Sequence, residues 1–266
     1  QPPKTMADVL AISKAFTEQD PDGNNKKDTY GLGINKGLWG GSTGLEGFMA
    51  GYKAYPNIWI EDSSGKLVYG SIQPEVKNAL KALQDMFKAG QIDKEFGIKD
   101  GGKVAEDITA GKIGMQYGEQ WNSIGPLQLN KNNEPNAQWQ AFPIVSETEE
   151  MAKVPQKFST TKFFVVRKGA KNPEAVIKLF NLHLEKNWGE TAEFDYYYAP
   201  KEAESVWQLS TVQPAPPKKN LELFRTLEEV RKTGDKSKLT GEAKAVQQKL
   251  DAFASGSKDG FALWGW

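Results

Sequence analysis

Cysteine is absent from the 266 residues, and histidine occurs once, as His183. No disulfide framework, thiolate nucleophile or cysteine metal site is therefore available. The lack leaves export open, because a chain of this length buries a core that needs no covalent staple. Net charge is lacking too: 34 Lys and Arg balance 34 Asp and Glu. Nothing in that balance points to nucleic acid or to an acidic membrane surface. No apolar run is long enough to cross a bilayer, and no signal-peptide pattern occurs within the sequence. The glycine-rich stretch 36–45 has neither Gly-Lys-Ser/Thr nor a dinucleotide fingerprint, so phosphate-loop chemistry is excluded there.

Aromatics, by contrast, are plentiful, with 8 Trp, 8 Tyr and 13 Phe. A flat indole is a surface on which a sugar ring stacks, though a core uses the same side chains. The chain is organised around Lys103–Asn122, KVAEDITAGKIGMQYGEQWN. Val104 and Ile108 fall at helical spacing and Gly111 closes the helix. Ile113–Tyr117 follows as a short apolar strand, and Gly118-Glu119-Gln120-Trp121-Asn122 forms the tip beyond it. In an open α/β sheet, ligands lie outside the carboxyl ends of strands, which places a ligand at this tip. The same residues are also compatible with a loop whose Trp121 caps the core.

Elsewhere the pattern predicts helices over Met6–Gln19, with Thr5 as N-cap, and over Pro74–Ala89, with Val76, Leu80, Leu83, Met86 and Phe87 on one stripe. Further helices are expected at Ala175–Lys186, Asn220–Lys232 and Glu242–Ser255. Strands are expected at Thr29–Asn35, Trp139–Ile144 and Lys162–Arg167, the last apolar enough for a sheet covered on both faces. Asn57–Gly70 reads as a hairpin turning at Asp62-Ser63-Ser64-Gly65, with Trp59 as a structural residue. His183 has no second ligand or acid in view and reads as a core or half-buried side chain. Trp39, in the mobile glycine loop, serves equally as a ligand contact or as packing for the next helix.

Asp20-Pro21-Asp22-Gly23-Asn24-Asn25-Lys26-Lys27-Asp28 carries oxygen side chains at alternate positions. Asp20, Asp22, Asn24 and Asp28, with the Lys26 carbonyl, match positions 1, 3, 5, 9 and 7 of an EF-hand-like calcium loop. Asn25 replaces the usual glycine at position 6, and Gly31 stands where a bidentate glutamate is expected. A solvated acidic turn is the alternative, but clustered carboxylates repel unless a cation screens them.

The order of elements resembles the extracellular solute-binding proteins of ABC importers, in the sugar-binding group that includes maltose- and alginate-binding proteins. The likeness runs over nearly the whole chain. It is carried by SIQPEVKNALKALQDMFKAGQID, by the pairing of AGKIGMQYGEQW with the later KFFVVRKGAKNPEAVIKLFN, and by the opening PPKT before a helix. It implies an α/β fold of the periplasmic-binding-protein type II, mostly the second lobe with a crossing segment of the first. Residues 1–155 are then the second lobe, 156–187 the crossing and 188–266 a helical return. It also implies an internal fragment, whose last residues include Trp264 and Trp266. Uncovered apolar surface in about 156–187 would then either favour association between chains or leave that segment displaced from its family position.

The resemblance carries the family's stacking tryptophan onto Trp121, with Glu119, Gln120 and Asn122 as hydrogen-bonding neighbours. DPDGNNKKD is similar to a structural calcium insertion of relatives, with Thr29 where they often have one more carboxylate. The expected partners are a carbohydrate and ABC permease subunits, on the cell surface or in the periplasm, with any membrane anchor a lipid outside this stretch. Two other classes are expected to differ in test: a glycoside hydrolase using Glu119 with a second acid, and a calcium-stabilised adhesion module.

Overall fold

The computed structural model describes residues 2–148, 150–155, 162–198 and 209–265. It divides into two compact units, Gln1–Lys157 with Ser257–Trp266, and Phe158–Gly256.

The first unit begins with helix α1, Met6–Glu18. Thr5 is its N-cap, and the Asp8 carboxylate reaches back to accept from the Thr5 N–H at 3.0 Å and the Lys4 N–H at 2.8 Å. That satisfies donors a helix start leaves open. Strand β1, Tyr30–Leu32, is shorter than the expected 29–35, because beyond it the pairing narrows to a single bond from the Gly33 N–H to the Met115 carbonyl. Helix α2 spans Glu46–Gly51. The expected hairpin forms from β2, Trp59–Glu61, and β3, Leu67–Tyr69, paired antiparallel with Trp59 opposite Tyr69. Asp62 makes the turn by accepting from the Ser64 and Lys66 N–H groups at 2.8 and 3.0 Å. Trp59 is not a packed structural residue: it is 67% exposed and leans on Tyr69 across the strands.

Helix α3, Pro74–Lys88, buries Ala79, Leu83 and Met86, while the expected stripe member Leu80 faces solvent. Helix α4, Gly101–Thr109, starts on Asp100, whose side chain accepts from the Lys103 N–H, and ends before Gly111 in the left-handed region. Strand β4, Ile113–Met115, follows and pairs in parallel with β1, Tyr30 opposite Ile113 and Leu32 opposite Met115. Helix α5, Pro126–Asn133, lies after the tip. The core gathers Met6, Val9, Leu32, Ile34, Phe48, Met49, Leu83 and Met86.

Two expected strands do not form. Residues 139–144 carry no strand pairing; Pro143 has no N–H to give to a ladder. Residues 162–167 are likewise unpaired. Their unit contains no other strand among the described residues, and a strand exists only by bonding to a neighbour. Instead of lying in a covered sheet, Phe163 is 78% and Val165 91% exposed, while the Phe164 ring meets Phe180 edge-on at 5.0 Å. Residues 156–161 of the expected crossing, the Trp264 side chain and Trp266 lie outside the described residues.

The second unit is helical among its described residues: α6, Ala175–Trp188; α7, Phe194–Tyr197; α8, Lys219–Thr233; and α9, Gly241–Ala254. The Lys219 ammonium lies 5.9 Å from the Trp188 ring centre and 5.8 Å from that of Tyr198, and pairs with Glu242 at 2.6 Å. His183 is half-buried, and burial lowers its pKa. The chain then returns to the first unit as α10, Phe261–Gly265.

One ion-paired group fixes α4 against the connection that follows α3. Lys99 bonds Asp93 at 2.5 Å and Asp107 at 2.8 Å, with all three side chains largely covered. Its bonds to Asp107 and Asp93 hold the ammonium well above the ordinary lysine range. Lys99→Met strands two covered carboxylates, and chemical denaturation should report a loss of about 2 kcal/mol, less than for a fully buried pair. A lysine raised in the folded state contributes fully below its unfolded value of about 10.4 and loses that contribution as pH climbs toward the folded one. The stability gap between wild type and Lys99→Met is therefore expected to hold from about pH 6 to 9 and to close only above about pH 10.4.

Candidate ligand-binding site

Helix α1 lies directly on the β1–β4 pair, closer than side chains on the strands would permit. A Cβ on Gly31 would stand 2.0 Å from the Ser13 Oγ, and one on Gly114 would stand 2.1 Å from the Phe16 ring. Both positions need glycine for this approach and not for backbone freedom. The seating leaves a cavity of about 800 Å³ within the first unit, at the carboxyl end of β4. Val9, Ile12 and Phe16 of α1 form one wall, and Met115 and Tyr117 run along another. Trp139 and Phe142 close it from the 138–145 segment, and Phe261 does so from α10. Tyr117 divides cavity from core: its ring meets Phe48 edge-on at 6.1 Å, and burial pushes its phenol pKa up.

The expected tip residues reach this cavity unequally. Glu119, Gln120 and Asn122 line it, whereas Trp121 stands beside it on the short 3₁₀ turn Gln120–Ser123. Trp121 is 40% exposed, and its indole N–H donates to the Glu119 carboxylate at 2.6 Å. Trp39, 39% exposed, sits in the glycine loop rather than on the cavity wall. The loop and the tip are nevertheless joined, because the Asn122 side-chain NH₂ donates to the Ser42 carbonyl at 3.2 Å. Within the loop, Glu46 accepts from the Gly40 N–H at 2.6 Å, and the Asn35 amide donates to the Thr43 hydroxyl at 2.7 Å. The tip is anchored from below as well: the Ser123 hydroxyl donates to the Ala262 carbonyl at 2.5 Å, and the Ala262 N–H to the Gln128 side chain at 2.9 Å.

Trp139, Phe142, Gln116, Gln138 and Gln140 line the cavity without having been singled out in the sequence. The run Gln138-Trp139-Gln140-Ala141-Phe142 offered the signal, amides on either side of an aromatic, but it reads equally well as a plain strand. Trp139 is held by its indole N–H, which donates to the side-chain Oδ1 of Asn130 at 2.8 Å.

The acidic loop 20–28 connects α1 to β1. Asp20 accepts from the N–H groups of Asn24 and Asn25 at 3.1 and 2.8 Å. The Asn24 amide nitrogen lies between Asp22 at 2.8 Å and Asp28 at 3.2 Å. Chiefly the Asn25 N–H lowers the Asp20 pKa; desolvation, with Asp20 and Asp28 nearby, raises that of Asp22. Among the described residues, no three His, Asp or Glu side chains are grouped as a metal centre.

Known proteins bear on both the sequence and the fold. No family model matches the chain. It is 32% identical over 113 residues to lipoprotein LipO of Bacillus subtilis, covering 42% of this chain and 22% of that protein. Over 122 residues it is 30% identical to the polygalacturonan/rhamnogalacturonan-binding protein YtcQ of the same organism, covering 46% and 24%. The matched stretch thus spans about a quarter of each relative. Among solved structures, the ABC-transporter substrate binding protein FusA of S. pneumoniae, as an EF-hand mutant with fructo-nystose, aligns with a TM-score of 0.53. That alignment is 18% identical and covers 77% of this chain and 41% of FusA. Over the aligned residues the fold is like that of FusA. The α/β character expected from the sequence is the one found, and the organising helix–glycine–strand–tip unit of that fold forms the cavity described above.

The close seating of α1 is directly testable. A methyl group at Gly114 would overlap Phe16, so Gly114→Ala must shift that ring and the cavity wall with it. Overpacking of this kind should cost about 1–3 kcal/mol in thermal or chemical unfolding, and a neutral result would refute the close seating of α1.

Proposed function

We propose that the chain is part of the solute-binding component of an ABC importer and contributes to a carbohydrate-binding surface. The observation that carries this reading is the cavity beyond β4, walled by Phe16, Tyr117, Trp139 and Phe142 and rimmed by amides. Concave, largely apolar sites with a few placed polar groups are where small polyhydroxylated ligands bind, and the end of a parallel strand is where such folds place them. Trp121 and Trp39 are the stacking side chains of this reading, while Glu119, Gln120 and Asn122 read hydroxyls. Residues 1–155 are assigned to the second lobe, 156–187 to the crossing and 188–266 to the return. In the whole protein, two lobes would close on the sugar by a hinge. Surface location with a lipid anchor fits the name lipoprotein borne by LipO, and among the described residues no helix is long and apolar enough to cross a membrane.

Binding is favoured over hydrolysis by the acids at the cavity. Among the described residues lining it, Glu119 is the one carboxylate, and its oxygen already accepts from Trp121. Glycoside cleavage ordinarily needs two carboxylates about 5–10 Å apart.

Titration with oligosaccharides, followed by calorimetry and tryptophan fluorescence, tests the reading. Binding should weaken by ~1–3 kcal/mol in Trp121→Ala, a magnitude taken from aromatic stacking on nucleobases. Heat from none of a broad oligosaccharide panel, or turnover of aryl glycosides, would overturn it.

Structural calcium belongs to the same proposal. The loop offers Asp20, Asp22, Asn24, Asp28 and the Lys26 carbonyl, a hard-oxygen set suited to calcium. Its fit is supported by the Asn24 amide nitrogen lying where Asp22 and Asp28 converge, a place that attracts positive charge. The aligned FusA structure is described as an EF-hand mutant. A cation here would tie the end of α1, which walls the cavity, to the start of β1, the strand on which that helix is seated. Chelation should then lower Tm by several degrees, with Asp20→Ala abolishing the response; an unchanged Tm would remove calcium from the account.

A further inference from the structure

Five carboxamide side chains line the cavity: Gln116, Gln120, Asn122, Gln138 and Gln140. Among the described lining residues none is Lys, Arg or His, and Glu119 supplies the one formal charge, a negative one. From this composition we infer that the site selects a neutral sugar over a uronate, and that its carboxamides, with Gln116 innermost on the strand side, read the hydroxyls. The inference rests on the carbohydrate reading given above and narrows its substrate class.

The chemistry follows from what each group asks of its partner. A hydroxyl both donates and accepts a hydrogen bond, and a primary carboxamide does the same through its NH₂ and its carbonyl. A uronate carboxylate only accepts, and taking it out of water without a cation costs several kcal/mol. Sites that hold carboxylates supply Arg or Lys for this reason. Here the lining offers Glu119 instead, and a like charge nearby adds repulsion.

Gln116 gives the independent sign of an unmet demand. Both heteroatoms of its carboxamide are shut off from solvent, and neither has a hydrogen-bond partner. The Asn122 carbonyl oxygen is in the same condition, although its NH₂ is committed to Ser42. Buried polar groups left unpaired are costly and uncommon in folded proteins. Gln116 follows the last residue of β4 and lines the cavity, so a turn of its side chain toward a ligand hydroxyl relieves the cost. Affinity then draws on a penalty that the empty site already carries. The polygalacturonan-binding relative YtcQ, by its name, takes an acidic polymer. The composition of this cavity marks a different preference.

Calorimetry on the 266-residue chain tests this, with neutral fructo-, gluco- and galacto-oligosaccharides set against oligogalacturonates at one ionic strength. At least one neutral series should bind tenfold or more tightly than the oligogalacturonates. Gln116→Leu should weaken that binding at least tenfold while leaving Tm unchanged or raised, since it removes an unpaired buried amide. A merely structural glutamine would instead lower Tm and spare binding in the molecules that still fold. Gln140→Ala, at an exposed position, gives a second reading if Gln116→Leu fails to fold, and should weaken neutral binding several-fold. Glu119→Gln should narrow the gap between neutral and acidic ligands. Oligogalacturonate binding as tight as neutral binding overturns this inference and leaves the carbohydrate reading standing. Neutral binding that survives both glutamine substitutions overturns the role given to the amides. Binding of no sugar in either series overturns the carbohydrate reading itself.

Discussion

The first unit depends on one steric constraint, the absence of side chains at Gly31 and Gly114 beneath α1. A Cβ at either position would fall within 2.1 Å of Ser13 or Phe16 atoms. No repacking of rigid neighbours absorbs an overlap of that size without moving the helix. Because the helix sits so low, Met6 and Val9 enter the core while Ile12 and Phe16 reach the cavity wall. The same seating covers a parallel pair of only three residues per strand, too short to stand without a helix on its face. Core, strand pairing and cavity are thus consequences of one close approach.

The rim of the cavity is ordered by a different means. Hydrogen bonds hold the tip. Asn122 reaches Ser42 in the glycine loop, Ser123 reaches Ala262 in α10, and Trp139 is fixed through Asn130. The first two bonds run between segments distant in sequence and the third between residues nine apart, so the polar rim draws on several parts of the chain. A rim fixed before the ligand arrives loses less conformational freedom on binding, which favours affinity. Individually such bonds contribute about 1 kcal/mol each, so the tip is also the part most readily loosened.

What could be read in the sequence was whatever depends on neighbouring residues. The helix, Gly111, strand and tip of 103–122 were legible, because periodicity, a left-handed glycine and a turn to polar residues are all local signals. The hairpin was legible for the same reason, through Asp62 and Gly65. The expected strands at 139–144 and 162–167 failed because an extended apolar run states a propensity and not a partner. Pro143 was the one local sign against the first, while nothing local announces that the unit of the second contains no described strand to pair with. The candidate site divides along the same line. Resemblance pointed to Trp121, which stands beside the cavity, whereas Phe16, Trp139 and Phe142 of its wall are brought together only by the tertiary fold. Single glutamines carry no signal at all until five carboxamides are seen around one space.

Tyr117 shows how stability and recognition are kept apart within this small unit. Its ring packs edge-on against Phe48 on the core side and forms part of the cavity wall on the other. Its hydroxyl, deep enough for burial to raise its pKa, lies 3.9 Å from the Met6 sulfur. Inward of this ring lie aliphatic side chains whose loss opens voids, at a cost measured in kcal/mol of folding energy. Outward of it lie the amides and the tip, partly exposed and joined by hydrogen bonds. Substitutions on the two sides that share no contact should therefore combine additively, those inside acting on unfolding and those outside on affinity. Tyr117 itself, touching both, is where that separation ends.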